Sequence, residues 1–354
     1  MCARPEQQMM TTNDMHKLLN YIGYGLLFAF AGIAHAQVGS DLSSIRFIAS
    51  PEVPGPNALV RLEVQGVGGF VGDATITWQE NGKTVKSGVG ERTHTVTTGN
   101  LGSVTRVTVR VESSSLGTMT REITLAPAQV HLVWEASTSV PPFYRGKALY
   151  SLGSRVTVTA FPQVVVNGNT LSSNNLSFQW KRNGTSLANQ SGKGRNTLAF
   201  TGDQLKTGET VNVDVYFGDV LVARGSLLIP ATDPEIVFYP RDPLRGILFD
   251  QAFPGAVSLT GSELTVQAVP YFFANESLAN GSLTYQWTLN NQTTTGPDAA
   301  QGILTLRQSG EGAGEATLGV SLQNIDSTKL LQNAQAALRI IFGTQPSGPS
   351  IFGS

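Results

Sequence analysis

Apolar and polar residues alternate with a period of two in many short stretches of this chain. In the clearest stretch, Leu176, Phe178 and Trp180 alternate with polar residues, and Asn183-Gly184 follows. Such alternation is typical of a half-buried β-strand, and Asn-Gly is a preferred two-residue turn of a β-hairpin. The stretch therefore predicts a strand that enters a tight turn.

The same pattern occurs three times. Trp78 precedes Asn81-Gly82 and Trp287 precedes Asn290-Asn291, so that in every copy an Asn lies three residues after the Trp. The tryptophans are separated by roughly 100 residues, which is the size of one small β-sandwich. We therefore expect three copies of one domain.

Proline-containing stretches at Pro127 and Ala231-Thr-Asp-Pro234 punctuate the chain between the copies. The pattern predicts an all-β protein with three tandem sandwich domains and a flexible, Gly/Pro/Ser-rich tail. The predicted bounds are 37–128, 129–231 and 232–342 for the domains, and 343–354 for the tail.

The second and third copies match beyond the tryptophan. The stretch from Ser154 to Pro162 matches that from Ser262 to Pro270, and we expect the strand that begins Gly208-Glu209 to correspond to the one that begins Gly314-Glu315. Residues 329–338 have the composition of a helix. The repeat nevertheless predicts that residues 336–342 form the last strand, with a helical turn before it as a further option.

The amino terminus has the pattern of a secretory signal peptide over residues 1–36. His16-Lys17 is followed by an apolar run from Leu18 to Ile33 and by Ala34-His35-Ala36, which predicts cleavage before Gln37. The residues before Met15 are interpreted as an over-long start. The alternative is an uncleaved anchor, although the apolar run is shorter than the ~20 residues that a spanning helix needs.

Composition agrees with export. Charged residues make up only 14% of the chain, against about 25% in an average soluble domain. The net charge of −1 gives no electrostatic reason to expect nucleic acid as a partner, and a membrane is expected only if the signal segment is retained. The single cysteine, Cys2, precedes the signal peptide, so that the mature chain would contain neither a thiol nor a disulfide.

The repeated strand with its central Trp, followed about 30 residues later by a strand such as Gly208-Glu-Thr-Val-Asn-Val-Asp-Val215, resembles immunoglobulin-like (Ig-like) domains. More narrowly, the chain resembles the bacterial Ig-like and PKD-like tandem modules of exported surface proteins. The resemblance implies three Ig-like sandwiches after the signal peptide. It also places an aliphatic residue, Val213, where antibody-type domains carry the second cysteine of their disulfide.

The conspicuous aromatic residues fall into two groups. Trp78, Trp180 and Trp287 share a face with apolar neighbours, so they are predicted to be core residues. Phe143 and Tyr144, and also Tyr271, Phe272 and Phe273, lie beside predicted strand ends, where recognition surfaces usually form. We treat these five as candidate partner-binding residues, with packing at domain junctions as the alternative.

Residues for catalysis or metal binding are few. Outside the signal peptide the only histidines are His94 and His131, neither in a known catalytic motif, so we expect no enzyme, no cofactor and no dedicated metal site. A calcium site that uses Asp233, Glu235 or Asp242 at a domain junction is a less favoured alternative.

The sequence thus favours an exported, non-enzymatic structural or adhesion rod of Ig-like domains at a bacterial cell envelope. Its expected partners are envelope or surface proteins, bound through loops or strand edges. The alternatives are a carbohydrate-binding module array, with polysaccharide as the partner, and an accessory subunit of a pilus or envelope assembly.

Overall fold

A computed structural model describes residues 45–66, 71–114, 117–310 and 312–343. The predicted signal peptide and the predicted tail beyond Gly343 lie outside these residues.

The first sandwich packs a three-stranded sheet against a four-stranded sheet. Its strands are β1 (Arg46–Ser50), β2 (Leu59–Gln65), β3 (Thr75–Glu80), β4 (Lys83–Val89), β5 (Thr93–Thr97), β6 (Thr105–Ser113) and β7 (Gly117–Leu125). The sheet orders are β1-β2-β5 and β4-β3-β6-β7. In β2, Val60, Leu62 and Val64 are buried whereas Arg61 and Gln65 are exposed, which is the two-residue alternation of a half-buried strand.

The second sandwich repeats this plan with more short strands. Its strands are β8 (Gln129–Ala136), β9 (Arg155–Gln163), β10 (Val165–Val166), β11 (Asn169–Thr170), β12 (Ser177–Arg182), β13 (Thr185–Ser186), β14 (Gly192–Lys193), β15 (Thr197–Thr201), β16 (Gly208–Phe217) and β17 (Val220–Pro230). The main sheets have the orders β15-β9-β8 and β13-β12-β16-β17, and β14 also pairs with β12. Short 3-10 helices cover Ser173–Asn175 and Ala188–Gln190.

The third sandwich adds strands at two sheet edges. Its elements are β18 (Glu235–Asp242), β19 (Gly246–Ile247), β20 (Ala256–Leu259), β21 (Glu263–Tyr271), α1 (Asn275–Ala279), β22 (Leu283–Leu289), β23 (Gln292–Thr294), a 3-10 helix (Ala299–Gln301), β24 (Ile303–Arg307), β25 (Gly314–Asn324) and β26 (Asn333–Phe342). The sheet orders are β19-β18-β21-β24 and β20-β26-β25-β22-β23. Residues 336–342 lie in the last strand, as the repeat predicted.

All three sandwiches share one strand order. In each, strands A, B and E form one sheet, and strands C′, C, F and G form the other. A, B and E are β1, β2 and β5 in the first sandwich, β8, β9 and β15 in the second, and β18, β21 and β24 in the third. C′, C, F and G are β4, β3, β6 and β7 in the first, β13, β12, β16 and β17 in the second, and β23, β22, β25 and β26 in the third. This division between two antiparallel sheets is that of an Ig-like sandwich. The structure therefore confirms the all-β class and the tandem Ig-like arrangement.

The repeated tryptophans lie on strand C of each sandwich, and all three side chains are buried. Each indole Nε1 donates a hydrogen bond to a backbone carbonyl that precedes strand E. The accepting residues are Glu91 at 2.8 Å, Arg195 at 2.9 Å and Ala299 at 3.0 Å. The indole thus fills the core and also fixes the chain that crosses between the sheets.

The repeated asparagines have a second structural role. Asn81, Asn183 and Asn290 have φ values of 48°, 49° and 51°, a left-handed conformation that Asn tolerates well. Each Asn also exchanges hydrogen bonds with one residue of strand F: its Oδ1 accepts from that backbone N–H, and its own N–H donates to that carbonyl. The F-strand residues are Arg106, Thr210 and Thr317. This clamp explains the constant spacing of Trp and Asn.

One predicted correspondence is wrong by one residue. Trp180 pairs with Val213 and Trp287 with Val320, so that Gly208, not Glu209, is equivalent to Glu315. Because side chains alternate between the faces of a strand, the shift turns Glu209 toward the core and leaves Glu315 exposed.

The buried Glu209 carboxylate is fully hydrogen-bonded. Arg182 donates to both carboxylate oxygens, at 2.6 and 2.8 Å, while the Asn183 side chain and the Asp203 backbone N–H donate at 2.6 and 2.7 Å. Burial alone would raise the pKa of Glu209, but these donors outweigh it and hold the pKa below its ordinary value.

We expect Trp180→Ala to destabilise the second sandwich by roughly 3–5 kcal/mol, because it leaves a cavity in the core. Trp180→Phe should cost about 1–2 kcal/mol, because the Arg195 carbonyl loses its donor. Hydrogen exchange of β12 and β16 measures both effects. Trp134→Phe, at a half-buried position on an edge strand, is the control. An equal loss of stability in this variant would contradict the specific role of Trp180 in the core.

We expect Glu209→Gln to destabilise the chain by about 3 kcal/mol at neutral pH, because it breaks a buried ion pair. The lowered pKa of Glu209 means that this contribution is complete above the ordinary Glu pKa and is lost as the pH falls through the folded-state value. Denaturant unfolding across acidic and neutral pH measures the difference from the native chain. Glu315→Gln, at an exposed ion pair, should change stability by less than ~1 kcal/mol at every pH.

Candidate functional site

The second and third sandwiches meet through backbone pairing. Residues 137–139, which continue strand β8, lie beside Phe272 to Asn275 of the third sandwich. The Ser139 N–H donates to the Phe273 carbonyl at 2.7 Å, and the Ser139 carbonyl accepts from the Phe272 N–H at 2.8 Å. The Ser137 carbonyl accepts from Asn275 at 3.1 Å. This contact is a short β-ladder between domains, because both segments contribute main-chain donors and acceptors.

A buried amide lies at the centre of this junction. The Gln332 Nε2 donates to the Ser151 hydroxyl at 3.0 Å and to the Leu152 carbonyl at 2.8 Å, and both partners belong to the second sandwich. Its Oε1 accepts from the Ala274 N–H at 3.1 Å and from the Asn324 side chain at 3.0 Å. The side chain is completely buried and uses its full hydrogen-bonding capacity.

A charged group lies beside the amide. Lys329, which is also buried, is 2.7 Å from both Glu276 and Asp326. Burial disfavours the charged ammonium, but the two carboxylates outweigh it and raise the pKa of Lys329. The hydrogen bond from Lys329 lowers the pKa of Asp326. The loops of the third sandwich that face the junction are thus tied to one another.

Close approach at this point also requires glycine. Gly153 has a φ of 76°, and a Cβ there would lie 2.7 Å from the Thr328 carbonyl. Any larger side chain would therefore push the FG loop of the third sandwich away.

An aromatic cluster completes the junction on the outer face of the third A-B-E sheet. Tyr239, Tyr271 and Phe272 are its buried members, and Leu149, Ile247 and Phe249 pack against them. We call this set the junction cluster. Leu149 belongs to the loop between strands A and B of the second sandwich, which therefore reaches over to cover the third.

Three of the five candidate partner-binding aromatics are buried within the chain. Tyr271 and Phe272 belong to the junction cluster, and Phe273 lies in the core of the third sandwich. For Tyr271 and Phe272, this packing is the junction role that the sequence left as the alternative. They offer no ring surface to a partner. Tyr144 is 38% exposed, whereas Phe143 is 97% exposed.

Phe143 is held at the tip of a tight turn. The Tyr144 N–H donates to the Pro141 carbonyl at 3.2 Å, and Phe143 itself has a φ of 61°. Turns that need a positive φ at this position normally use glycine, and a non-glycine residue in the left-handed region costs roughly 1–2 kcal/mol. The Phe143 ring is exposed, so no gain from burying it offsets the cost of this backbone conformation.

The turn is anchored by its neighbour. The Tyr144 ring contacts Tyr271 and Phe272 edge-on, with centroids 5.9 and 6.3 Å apart and interplanar angles of 80° and 69°. Gly146 makes room for this ring, since a Cβ there would lie 2.6 Å from it. The junction cluster therefore fixes the base of the turn that presents Phe143.

The residues considered for chemistry lie apart. The His94 Nε2 is 2.7 Å from the Glu80 carboxylate in the first sandwich, and His131 is on an exposed face of the second. The Asp242 carboxylate accepts hydrogen bonds from the Leu244 and Arg245 backbone N–H groups of its own turn. In the described part of the chain, no group of three or more His, Cys, Asp or Glu side chains is arranged to hold a metal ion.

The same described residues contain no helix that is long and apolar enough to span a membrane.

The sequence did not single out Gln332, Ser139 or Lys329. Each lies in a loop or at a strand end without a repeated motif. The Gln332 hydrogen bond to Leu152 spans 180 residues. A local pattern contains no signal for such a contact.

The solved structures to which this chain is similar are distant ones. No protein-family model matches the chain, and neither does any curated protein. Among solved structures, the central fibronectin-III array of RIM-binding protein is 13% identical, with a TM-score of 0.28, over 87% of this chain and 100% of that one. Three N-terminal domains of the bacteriophage RB49 outer capsid protein Hoc are 12% identical, with a TM-score of 0.25, over 85% and 98%.

A further solved structure concerns host cell surface retention of a 1.5-MDa bacterial ice-binding adhesin. It is 13% identical to this chain, with a TM-score of 0.23, over 81% of this chain and 90% of that one. The Ig-like assignment rests on the strand order described above.

We expect Gln332→Ala to loosen the junction without unfolding either sandwich. The change leaves the Ala274 N–H and the Leu152 carbonyl without their partner, at roughly 1–3 kcal/mol for each buried group. Hydrogen exchange should rise at residues 272–275 and 151–152. Gln335→Ala, on the exposed face of β26, is the matched control, and equal effects of the two changes would contradict a specific role for Gln332.

Proposed function

We propose that this chain is an exported, non-enzymatic structural or adhesive protein of a bacterial cell envelope. In this proposal its Ig-like domains hold binding elements at fixed positions for envelope or surface proteins. The observation that carries the proposal is the junction between the second and third sandwiches, since it combines a backbone ladder, a saturated buried amide and an aromatic cluster.

The construction of the junction favours a mechanical role. Domains joined by a simple linker move relative to one another by default, and an interface restrains them only when it is large and well packed. Here the pairing of residues 137–139 with 272–275 would break if the domains rotated. A stiff two-domain unit suits a protein that spaces or presents something.

The turn at Phe143 is the binding element that we assign to this unit. Strained backbone conformations cluster at binding sites, so the strain at exposed Phe143 motivates a role in recognition. Exposed aromatic side chains are frequent anchors of protein–protein interfaces, where each fills an apolar pocket of the partner. Phe143 is presented in this manner, on a turn fixed by Tyr144.

The ring geometry favours a protein over a polysaccharide at this site. Sugar rings stack on flat aromatic faces, and an extended chain needs several such faces side by side. Tyr271 and Phe272 are buried, and Tyr144 stands at 80° and 69° to them, so these rings offer no flat platform beside Phe143. Carbohydrate binding is therefore the second candidate and becomes an outcome of the test.

The test is photo-cross-linking in the native cells, with a photoreactive amino acid at position 143 of the full chain. Leu205, an exposed apolar residue elsewhere on the second sandwich, is the matched control position. We expect envelope or surface proteins to be cross-linked from position 143 and not from position 205. The same mass spectra should show a mature amino terminus at Gln37.

Phe143→Gly separates recognition from folding. Glycine relieves the strained φ, so the free energy of unfolding should stay the same or rise by up to about 1 kcal/mol. Partner binding should nevertheless be lost. A clear loss of stability would show that the ring serves the fold. Retained cross-links, or affinity for polysaccharide alone, would contradict the proposed protein contact.

A further inference from the structure

The third sandwich covers the outer edge of its own strand A. After β18, the chain turns back and pairs antiparallel with that edge at two points, Gly246 to Leu248 and Phe253, with a turn between them that is closed by the hydrogen bond from the Gln251 N–H to the Leu248 carbonyl. Gly246 and Ile247 pair with Asp242 and Arg241. Further along, the Leu248 N–H donates to the Pro240 carbonyl at 3.0 Å, and the Phe253 N–H donates to the Phe238 carbonyl at 2.8 Å. We call residues 246–253 the cover segment.

The cover segment also shields the outer face of the sheet. Ile247 and Phe249 pack on Tyr239 in the junction cluster, and Tyr239 is only 5% exposed. The cover segment thus has two effects. Its backbone forms hydrogen bonds with the edge of β18, and its apolar side chains shield Tyr239 on the adjacent face from solvent.

The second sandwich has the same edge without a cover. Its strand A, β8, is the last strand of its sheet, and no described segment pairs with its outer side. The register of the two A-B pairs makes Val133 equivalent to Tyr239 and Phe161 equivalent to Val269. Val133 is 56% exposed and Phe161 is 53% exposed.

The reason for the difference lies in the loop between strands A and B. In the third sandwich this loop folds back as the cover segment. In the second sandwich the equivalent loop is used at the junction, where it contributes Ser139 to the ladder and Leu149 to the junction cluster. One segment cannot do both, so the edge of β8 is left unpaired within the described chain.

A shallow depression marks the uncovered site. It is lined by Val133, Trp134, Glu135, Thr157, Thr159 and Phe161. The Lys147 ammonium lies 3.3 Å from the centroid of the Trp134 ring. On the outer face of the sheet, the depression thus combines the apolar side chains of Val133 and Phe161 with the polar side chains of Glu135, Thr157 and Thr159.

The uncovered edge also leads directly into an established interface. Residues 137–139, which follow β8, already receive backbone hydrogen bonds from Phe272 and Asn275. Strand addition is thus the mode of contact that this strand uses at its carboxyl end.

We propose that β8 binds an extended peptide segment of a partner protein by strand addition. The bound segment takes the place that the cover segment occupies on β18. Its backbone pairs with the outer edge at Leu132 and Trp134, and alternate aliphatic or aromatic side chains pack on Val133 and Phe161. This site is separate from the Phe143 turn, so the two proposals can fail independently.

The chain supplies the probe for this proposal. A fluorescent peptide of residues 244–253, Leu-Arg-Gly-Ile-Leu-Phe-Asp-Gln-Ala-Phe, copies the cover segment. It is titrated against the full chain by fluorescence anisotropy, and hydrogen exchange then locates the bound peptide. A control peptide carries Ile247→Ser and Phe249→Ser. We expect the native peptide to bind, residues 129–136 to gain protection, and the control peptide to bind at least about tenfold more weakly.

Variants of the protein identify the site. Phe161→Asp should weaken binding of the native peptide about tenfold or more, because it places a charge on the apolar face. Val220→Asp, at an exposed position of edge strand β17, is the matched control and should leave binding unchanged. Phe161 is half exposed, so its replacement is expected to leave the fold intact, as the unchanged unfolding transition will show.

Three outcomes would overturn the proposal. The first is absence of peptide binding, and the second is protection at another edge, such as β17 or β7. The third is a concentration-dependent dimer that Phe161→Asp abolishes in the absence of peptide, which would assign the edge to a second copy of this chain.

Discussion

The side-chain amide of Gln332 is the point on which the arrangement of two domains depends. A buried amide is stable only if its donors and its acceptor are all paired, and half of the partners of this one come from the other sandwich. The two domains must therefore adopt one relative position for the group to be satisfied. Once the domains have this relative position, three further sets of contacts stabilise it: the backbone ladder, the ion pairs of Lys329 and the junction cluster.

Much of the fold could be predicted from the sequence because its repeated elements are local. Trp180 and Asn183 lie three residues apart, and both act within one hairpin and its neighbouring strand. The period of a strand likewise placed Val60, Leu62 and Val64 in the core. The same reasoning failed for Glu209, since a matching Gly-Glu pair cannot reveal a shift of one residue in strand register. Such a shift changes which face a side chain occupies, and here it buries a carboxylate.

The site could be predicted only in part. Proximity to strand ends identified the aromatic residues, but it could not distinguish Phe143 from Phe273, one of which is exposed and the other buried. That difference depends on where the loop from the second sandwich meets the third. The contact of Gln332 with Ser151 and Leu152 depends on the same long-range docking, whose sequence separation leaves no periodic trace. The uncovered edge of β8 could be recognised only by comparing two folded copies side by side.

The use of one loop by a neighbouring domain limits how this architecture can be rearranged during evolution. Tandem Ig-like domains are often regarded as independent units, each of which could be duplicated, deleted or moved alone. Here Leu149 of the second domain covers apolar surface that belongs to the third. Separating the two would expose that apolar surface on the third domain and would leave the loop of the second domain without its packing partner. The second and third domains should therefore be inherited as a pair, and recombination breakpoints should fall before the pair rather than within it.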